Sequence, residues 1–261
     1  MHAMGRFHRH DDGTAHAHEH GDHPHTHEHG DHSGYDTSRQ RVDVLESIFA
    51  ENDLRAGYNR EAFEIHGVKA LNLMSSPGSG KTTVLEATLD EFAGEIAVGV
   101  IEGDIATDLD AAKLGGRGAQ ISLLNTGNGF GGECHLDAPM VNRALQGLDL
   151  AELDLVIIEN VGNLVCPAEF DVGEHAKAMV YSVTEGDDKP LKYPVMFRAV
   201  DVVLLNKIDL VPYLDVDVDS YTAHIREVNP TATILPVSAR TGDGMSAWFG
   251  WLRRFVAGES P

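Results

Sequence analysis

The sequence predicts an α/β fold in which a mostly parallel sheet is flanked by helices on both faces. Three observations carry that expectation. From residue 67 onwards, short apolar runs of strand length alternate with stretches of helical period, the pattern that stacks parallel strands under helical crossovers. A glycine-rich segment, Ser75-Ser76-Pro77-Gly78-Ser79-Gly80-Lys81-Thr82-Thr83, separates the first such run from the first helix of the series. Finally, 42% apolar content over 261 residues suffices for one sizeable buried core with an appendage.

Taken in order, residues 1–34 carry eleven of the fifteen histidines and almost no aliphatic side chains. With so little surface to bury, the segment cannot offset its ordering entropy and is expected to be a disordered tail. Its imidazoles stand one or two residues apart (His16, His18, His20, His23, His25, His27 and His29), mixed with Asp and Glu. Such spacing suits weak chelation of Ni²⁺, Zn²⁺ or Cu²⁺. A purification tag would be an unbroken run of histidine. Residues 35–66 read as a helical arm, capped by Asp36 or Thr37 and striped by Val42, Leu45, Ile48, Phe49, Leu54 and Phe63. The arm packs on its own domain or on a second subunit.

Residues 67–258 form the core domain. Val68–Met74, Ile96–Ile101, Gln120–Leu124, Leu155–Ile158, Ala178–Val183, Val202–Leu205 and Thr233–Val237 read as strands. Thr82–Phe92, Leu109–Leu114, Ala138–Leu148, Val195–Ala199, Val216–Val228 and Met245–Val256 read as the helices between and after them. The net charge of −21 argues against nucleic acid or an anionic membrane as the main partner. No stretch reaches membrane-spanning length and the N-terminus lacks an apolar signal core, so a cytoplasmic protein is expected. The two cysteines build no disulfide framework and fit free thiols in a reducing compartment. A Cys134–Cys166 disulfide is the alternative.

The glycine-rich segment sits after a strand and opens a helix, the context a phosphate-binding P-loop requires. Gly78, Ser79 and Gly80 present backbone N–H groups to phosphate, Lys81 reaches the β/γ oxygens, and Thr82, followed by Thr83, offers a hydroxyl to Mg²⁺. Ser75 stands where the strict pattern has glycine, so the loop is a variant. Asn206-Lys207-Ile208-Asp209 ends a later strand. A carboxylate at Asp209 accepts two hydrogen bonds from guanine N1 and N2, which adenine cannot supply. Asn206 holds loop and base, the Lys207 stem covers the ring, and Ser238-Ala239-Arg240 completes the pocket. The expected nucleotides are GTP and GDP.

Asp104, at the end of the second strand, is a candidate Mg²⁺-linked or water-orienting residue, with helix capping as the plainer reading. Glu159-Asn160-Val161-Gly162 stands where GTPases carry Asp-x-x-Gly. Glu159 is the Walker-B-type carboxylate, and Gly162 the N–H that senses the γ-phosphate. Asn163 rather than glutamine follows Gly162, so slow intrinsic hydrolysis is expected.

The P-loop form, the Cys134-His135-Leu136 element and Glu159-Asn-Val-Gly-Asn-Leu-Val-Cys-Pro167 together closely resemble the nickel-incorporation GTPases of nickel–iron hydrogenase maturation, the HypB family, over about residues 38–256. The resemblance implies a P-loop GTPase fold and a GTP-dependent homodimer. It also implies nickel or zinc at Cys134, His135 and Cys166. A small zinc-containing nickel-delivery protein and the hydrogenase large subunit are the implied partners. Some members carry a cysteine motif at the extreme N-terminus; here no cysteine precedes Cys134, and the histidine tail stands in that place.

Weighed on spacing alone, Cys134 and His135 can bind one ion but do not close a tetrahedral site, and Cys166 supplies a third ligand. Ligands from two subunits across a two-fold axis would complete it. Paired thiolates suit tetrahedral Zn²⁺ or square-planar Ni²⁺. Buried inert cysteines are the plainer reading, weakened by the glycine-rich run before Cys134. His66, His175 and His224 read as surface or structural, and Asp215, Asp217 and Asp219 as helix-cap and surface charge. Two other functions compete. A urease-accessory GTPase has a similar fold and tail but a Cys-x-His motif. A metal-buffering protein with a vestigial nucleotide domain would not need Lys81, Thr82 and Asp209 intact.

Overall fold

The computed structural model describes the backbone at 8–9, 15–16 and 37–48, and backbone with side chains at 49–103, 114, 116–124, 135–163 and 170–259. Seven strands form its frame: β1 (Lys69–Ser75), β2 (Val98–Glu102), β3 (Gln120–Leu123), β4 (Leu155–Glu159), β5 (Ala176–Ser182), β6 (Val202–Asn206) and β7 (Thr233–Pro236). They lie in the order β3-β2-β4-β1-β5-β6-β7, and every pairing is parallel. The central strand β1 sets Leu71 opposite Ile157 on one side and Ala176 on the other. The expected α/β class with a mostly parallel sheet is therefore what the chain adopts.

Alternation along β1 divides the core. Leu71 and Leu73 pack with α2 (Lys81–Phe92) and the C-terminal helix Met245–Val256, through Val84, Leu85, Trp248 and Trp251. Ala70 faces the opposite layer, with Phe63, Val141 and Val156, and Met74 joins Met179, Phe197 and Tyr221 there. The Trp248 indole N–H is buried, and it donates to Thr88 Oγ1 at 2.9 Å, as a buried donor must find a partner.

Strand and helix positions agree with the sequence reading to within a few residues. The expected helix Ala138–Leu148 stops at Leu145 (α3, Ala138–Leu145), because the chain turns back through Gly147 N–H to Ala144 O and Leu148 N–H to Leu145 O. Of the expected helix Leu109–Leu114, only Leu114 falls among the described residues. In the tail, His8–Arg9 pairs antiparallel with Ala15–His16, a local pairing that composition did not anticipate.

The arm is one helix, α1 (Thr37–His66), and of the expected stripe's described side chains Phe63 joins the buried face while Phe49 and Leu54 do not. Phe49 and Leu54 are 40% and 57% exposed. The buried seam is Asn52, Ala56, Asn59 and Phe63, spaced four, three and four residues apart as one helix face requires. Asn52 Nδ2 donates to Asp171 O (2.8 Å), and its Oδ1 accepts from the Ala138 N–H (2.9 Å). Asn59 Nδ2 donates to Ala138 O and Val172 O (3.0 and 2.9 Å), and its Oδ1 accepts from Asn142 Nδ2 (2.8 Å). Gly173, at φ 94°, lets the helix approach: a Cβ there would lie 2.7 Å from Ala56 O. Apart from Phe63, the seam is read by hydrogen bonds, so hydrophobic periodicity found Phe63 and missed the two asparagines. Over residues 49–66 the arm packs on its own domain.

His175 is half-buried at the foot of β1, where its Nδ1 accepts from the Ala70 N–H at 3.0 Å. Burial, aided by Lys69 and Arg60, holds its pKa below the usual 6.5. The folded state therefore binds fewer protons than the unfolded chain near and below that value, and this contribution to stability is lost as pH falls through the depressed pKa. In thermal unfolding between about pH 7.5 and about pH 5.5, a window spanning the imidazole range, the wild-type midpoint should fall more steeply than that of His175→Gln. The glutamine can accept the same N–H without titrating. Equal slopes would remove His175 as the source.

Candidate nucleotide site and the loops beside it

Parallel strands deliver all their carboxyl ends to one edge, so motifs far apart in sequence meet in one crevice. β1 runs into the Ser75–Lys81 loop, β4 ends at Glu159, and β6 ends at Asn206. Gly78 and Gly80 take left-handed φ values of 73° and 99°. Gly80 caps α2, whose N-terminal N–H groups and dipole favour an anion.

Asn206 ties this loop to the rest of the edge. Its Nδ2 donates to Ser79 O (2.9 Å) and its Oδ1 accepts from the Ala239 N–H (3.1 Å). The approach is so close that a Cβ on Gly80 would lie 2.5 Å from Asn206 Nδ2. Lys207 adds a second tie, its Nζ donating to Gly78 O at 2.6 Å. Among the described residues it is the non-glycine with positive φ, at 66°. Ser238 Oγ donates to Asp209 Oδ1 at 2.7 Å, which fixes that carboxylate at the pocket wall.

Two cavities result. One, of about 400 Å³, is lined by residues 75–83 with Gly162 and Lys207. The other, of about 340 Å³, is lined by Gly80, Thr83, Asn206, Lys207, Asp209, Leu210, Ser238, Ala239 and Arg240. They share Gly80, Thr83 and Lys207, so one long ligand with an anionic end and a planar end spans both. The residues expected from sequence to hold phosphate line the first, and those expected to hold the base line the second.

Below the phosphate cavity, Lys81 and Glu159 form a buried pair, Nζ to Oε1 at 3.4 Å. Thr82 Oγ1 donates to the same oxygen at 3.3 Å, while Glu159 Oε2 is buried without a hydrogen-bond partner among the described residues. A buried carboxylate oxygen left so is costly. A hydroxyl and an under-satisfied carboxylate at the cavity floor are a donor set that suits a hard, oxygen-seeking cation such as Mg²⁺. Asp104 lies outside the described residues.

Of the expected metal ligands, Cys134 and Cys166 lie outside the described residues, and so do His18, His20, His23, His25, His27 and His29. Among the described residues no group of three or more His, Cys, Asp or Glu gathers into a metal site. His135 is described. Its ring stacks on Phe170 (centroids 4.1 Å apart, 26°), and Phe170 stacks on Phe49 of α1 (5.3 Å, 26°). The other histidines are structural or exposed, as expected: His66 faces solvent and His224 Nδ1 meets Asp187 O at 2.8 Å. Asp217 caps the helix Val218–Val228, accepting from the Asp219 N–H at 3.0 Å. Sequence reasoning missed Lys189, which donates to Ser76 Oγ of the phosphate loop at 2.8 Å and pairs with Glu185. It also missed Phe170 and Asn160. No spacing marks these residues, because they reach the site through tertiary contact.

Gly80→Ala places a methyl against Asn206 and a side chain at left-handed φ, each unfavourable by about 1–3 kcal/mol. Calorimetric titration should show nucleotide affinity at least tenfold weaker, about 1.4 kcal/mol, with the fold retained. Unchanged affinity would mean the Asn206 tie is dispensable.

Comparison with known proteins agrees with this geometry. The CobW/HypB/UreG nucleotide-binding domain matches residues 69–236. Hydrogenase maturation factor HypB of Azotobacter vinelandii is 51% identical over 211 residues, which cover 81% of this chain and 68% of that one. The crystal structure of HypB from Archaeoglobus fulgidus is similar at TM-score 0.74 and 38% identity, over 79% of this chain and 99% of that chain. HypB from Helicobacter pylori, solved in complex with nickel, gives TM-score 0.73 and 35% identity, over 81% and 98%. With the family domain matching residues 69–236 and a relative 51% identical, the chain belongs to the CobW/HypB/UreG family and, within it, to the HypB hydrogenase maturation factors.

Proposed function

We propose that the chain is a GTP-hydrolysing nickel metallochaperone that inserts nickel during nickel–iron hydrogenase maturation, with a metal site coupled to its nucleotide switch. The observation that carries the nucleotide part is the pair of adjoining cavities, one walled by the P-loop and the other by Asn206, Asp209 and Ser238. Guanine fits the second because Asp209, fixed by Ser238, can accept from both N1–H and N2–H. Lys81 and the α2 N-terminus neutralise the phosphates. Thr82 and Asp104, with Glu159 as the Walker-B-type carboxylate, would hold Mg²⁺, which would supply charge neutralisation to the phosphates.

Nickel is the cargo. The supporting observations are the Cys134-His135 and Cys166 elements, the histidine tail, and a HypB relative solved with nickel. Zn²⁺ is a second occupant of the same ligands, since thiolate and imidazole suit both ions. The chain works in the cytoplasm as a GTP-dependent homodimer. It takes nickel from, or passes it to, a small zinc-containing accessory protein, and its final acceptor is the hydrogenase large subunit. Among the described residues no helix is long and apolar enough to cross a membrane.

Two measurements test this reading. Asp209→Asn removes a charge-assisted pair of hydrogen bonds of about 1.5–3 kcal/mol. GTP binding should weaken by roughly 10–150-fold, while xanthosine triphosphate, with an acceptor in place of the 2-amino group, should gain. If GTP and ATP bind this variant and the wild type alike, the guanine assignment is wrong. Separately, phosphate release should be slow, because Asn163 stands where a water-orienting glutamine would follow Gly162. A single-enzyme turnover above ~10 s⁻¹, well into the assisted range, would overturn the switch reading.

A further inference from the structure

A single buried amide joins the phosphate loop to the loop that carries His135. Asn160 is fully buried between β4 and Gly162. Its backbone carbonyl accepts from Lys81 Nζ, the P-loop ammonium. Its side-chain Oδ1 accepts from the Leu136 N–H at 3.1 Å, and from its own neighbour Val161 N–H at 2.9 Å. Its Nδ2 makes a longer contact, 3.3 Å, to Asn72 Oδ1. The residue that receives the phosphate lysine thus also holds the amide immediately after His135.

Leu136 is an anchor on both sides. Its side chain is fully buried and lies against Gly103, where a Cβ would come within 2.5 Å of Leu136 Cδ1. Gly103 follows β2, and its N–H donates to Glu159 O at 3.0 Å. Gly103 at the end of β2 and Asn160 at the end of β4 therefore both bear on Leu136. His135 itself is located by the Phe170 ring, so a movement of Leu136 changes how the imidazole sits relative to a fixed aromatic face.

We propose that Asn160 is a positioning residue that transmits the occupancy of the phosphate site to the His135 loop. A β/γ-phosphate competes for the Lys81 ammonium with stronger charge-assisted bonds than a neutral carbonyl offers. Drawing Lys81 away unloads the Asn160 carbonyl, and γ-phosphate capture at Gly162 pulls on the same short segment. The Asn160 side chain converts that shift into a displaced Leu136 amide, because a buried N–H follows its acceptor rather than go unpaired. Coupling of this kind exists only where nucleotide and metal bias the same two arrangements. The proposal rests on the reading above that His135 belongs to a nickel site.

The test uses the full chain with nickel alone as the probe, in GDP·Mg²⁺ and in a non-hydrolysable GTP analogue with Mg²⁺. Nickel affinity is read from thiolate-to-nickel charge-transfer absorption, which the cysteine-free tail cannot produce. Wild-type affinities in the two nucleotides should differ at least about fivefold, the lower end of measured couplings. In Asn160→Ala that ratio should fall to within about twofold of unity. Asn72→Ala, which removes the other side-chain partner but leaves the Leu136 bond, should keep the wild-type ratio. Should Asn160→Ala fail to fold, Asn160→Ser, whose hydroxyl falls short of Leu136, takes its place with the same expectation. A wild-type ratio surviving in the Asn160 variant overturns the relay, and so does an Asn72→Ala ratio that collapses equally, since loosened packing would then explain both. A wild type with no charge-transfer band or no nucleotide dependence instead removes the coupled-site reading, and the relay with it.

Discussion

The parallel pairing of β1 on both of its edges is the constraint on which the site depends. With β4 on one side and β5 on the other, the chain must leave β1 at the same edge where β4 and β6 also end. Residues 75, 159 and 206 are brought together by that direction alone. Antiparallel pairing would send their neighbours to opposite edges. The strands are buried along nearly their whole length, so the register is held by core packing that a one-residue slip would invert. The Asn206 ties are fine adjustment on a geometry already set.

Polar groups, more than apolar ones, decide what happens at that edge. Asn206 binds the phosphate loop and the 239 segment, Asn160 binds the P-loop lysine and Leu136, and Asn59 binds Ala138 and Val172. Each is almost wholly shielded from water, where a lost partner leaves a group unsatisfied at about 1–3 kcal/mol. An asparagine offers both donor and acceptor on one short, stiff stem, which lets it fix two backbone segments relative to each other. Apolar packing tolerates sliding; these bonds do not. Asn160 and Asn59 fix segments that follow the candidate cysteines in sequence, Leu136 and Ala138 after Cys134 and Val172 after Cys166. The arm helix therefore does more than cover a face of the sheet. At Asp171 it adds a charged clamp, Arg60 Nη2 at 2.9 and 2.8 Å from the two carboxylate oxygens. Burial pushes that carboxyl up, yet the guanidinium and the Gly173 N–H outweigh it and hold it below the usual range.

The chemistry at the phosphate cavity follows from the same shielding. Lys81 and Glu159 are 5% and 1% exposed, so their attraction is screened far less than at a surface, and their desolvation is correspondingly large. Among the described residues, Glu159 has partners for one of its two oxygens. A site of this kind is poised to take up a cation and an anion together, which is what a Mg²⁺-nucleotide presents.

The amino-acid sequence by itself determined the fold class, the order of strands and helices in the chain, and the two loop motifs that wall the cavities. It did so because period-two and period-3.6 patterns and the phosphate- and guanine-loop spacings are local. On α1 it found Phe63 but missed Asn52, Ala56 and Asn59, which share the buried seam with it, whereas Phe49 and Leu54 of the expected stripe are exposed. It singled out Cys134 and Cys166 by their neighbours. Only the tertiary structure decided that Asn160 reaches Leu136, that Phe170 backs His135, and that Lys189 touches Ser76. Those bonds join residues 24 to 113 positions apart, and which distant carbonyl an asparagine will meet is set by packing in three dimensions, not by any local pattern.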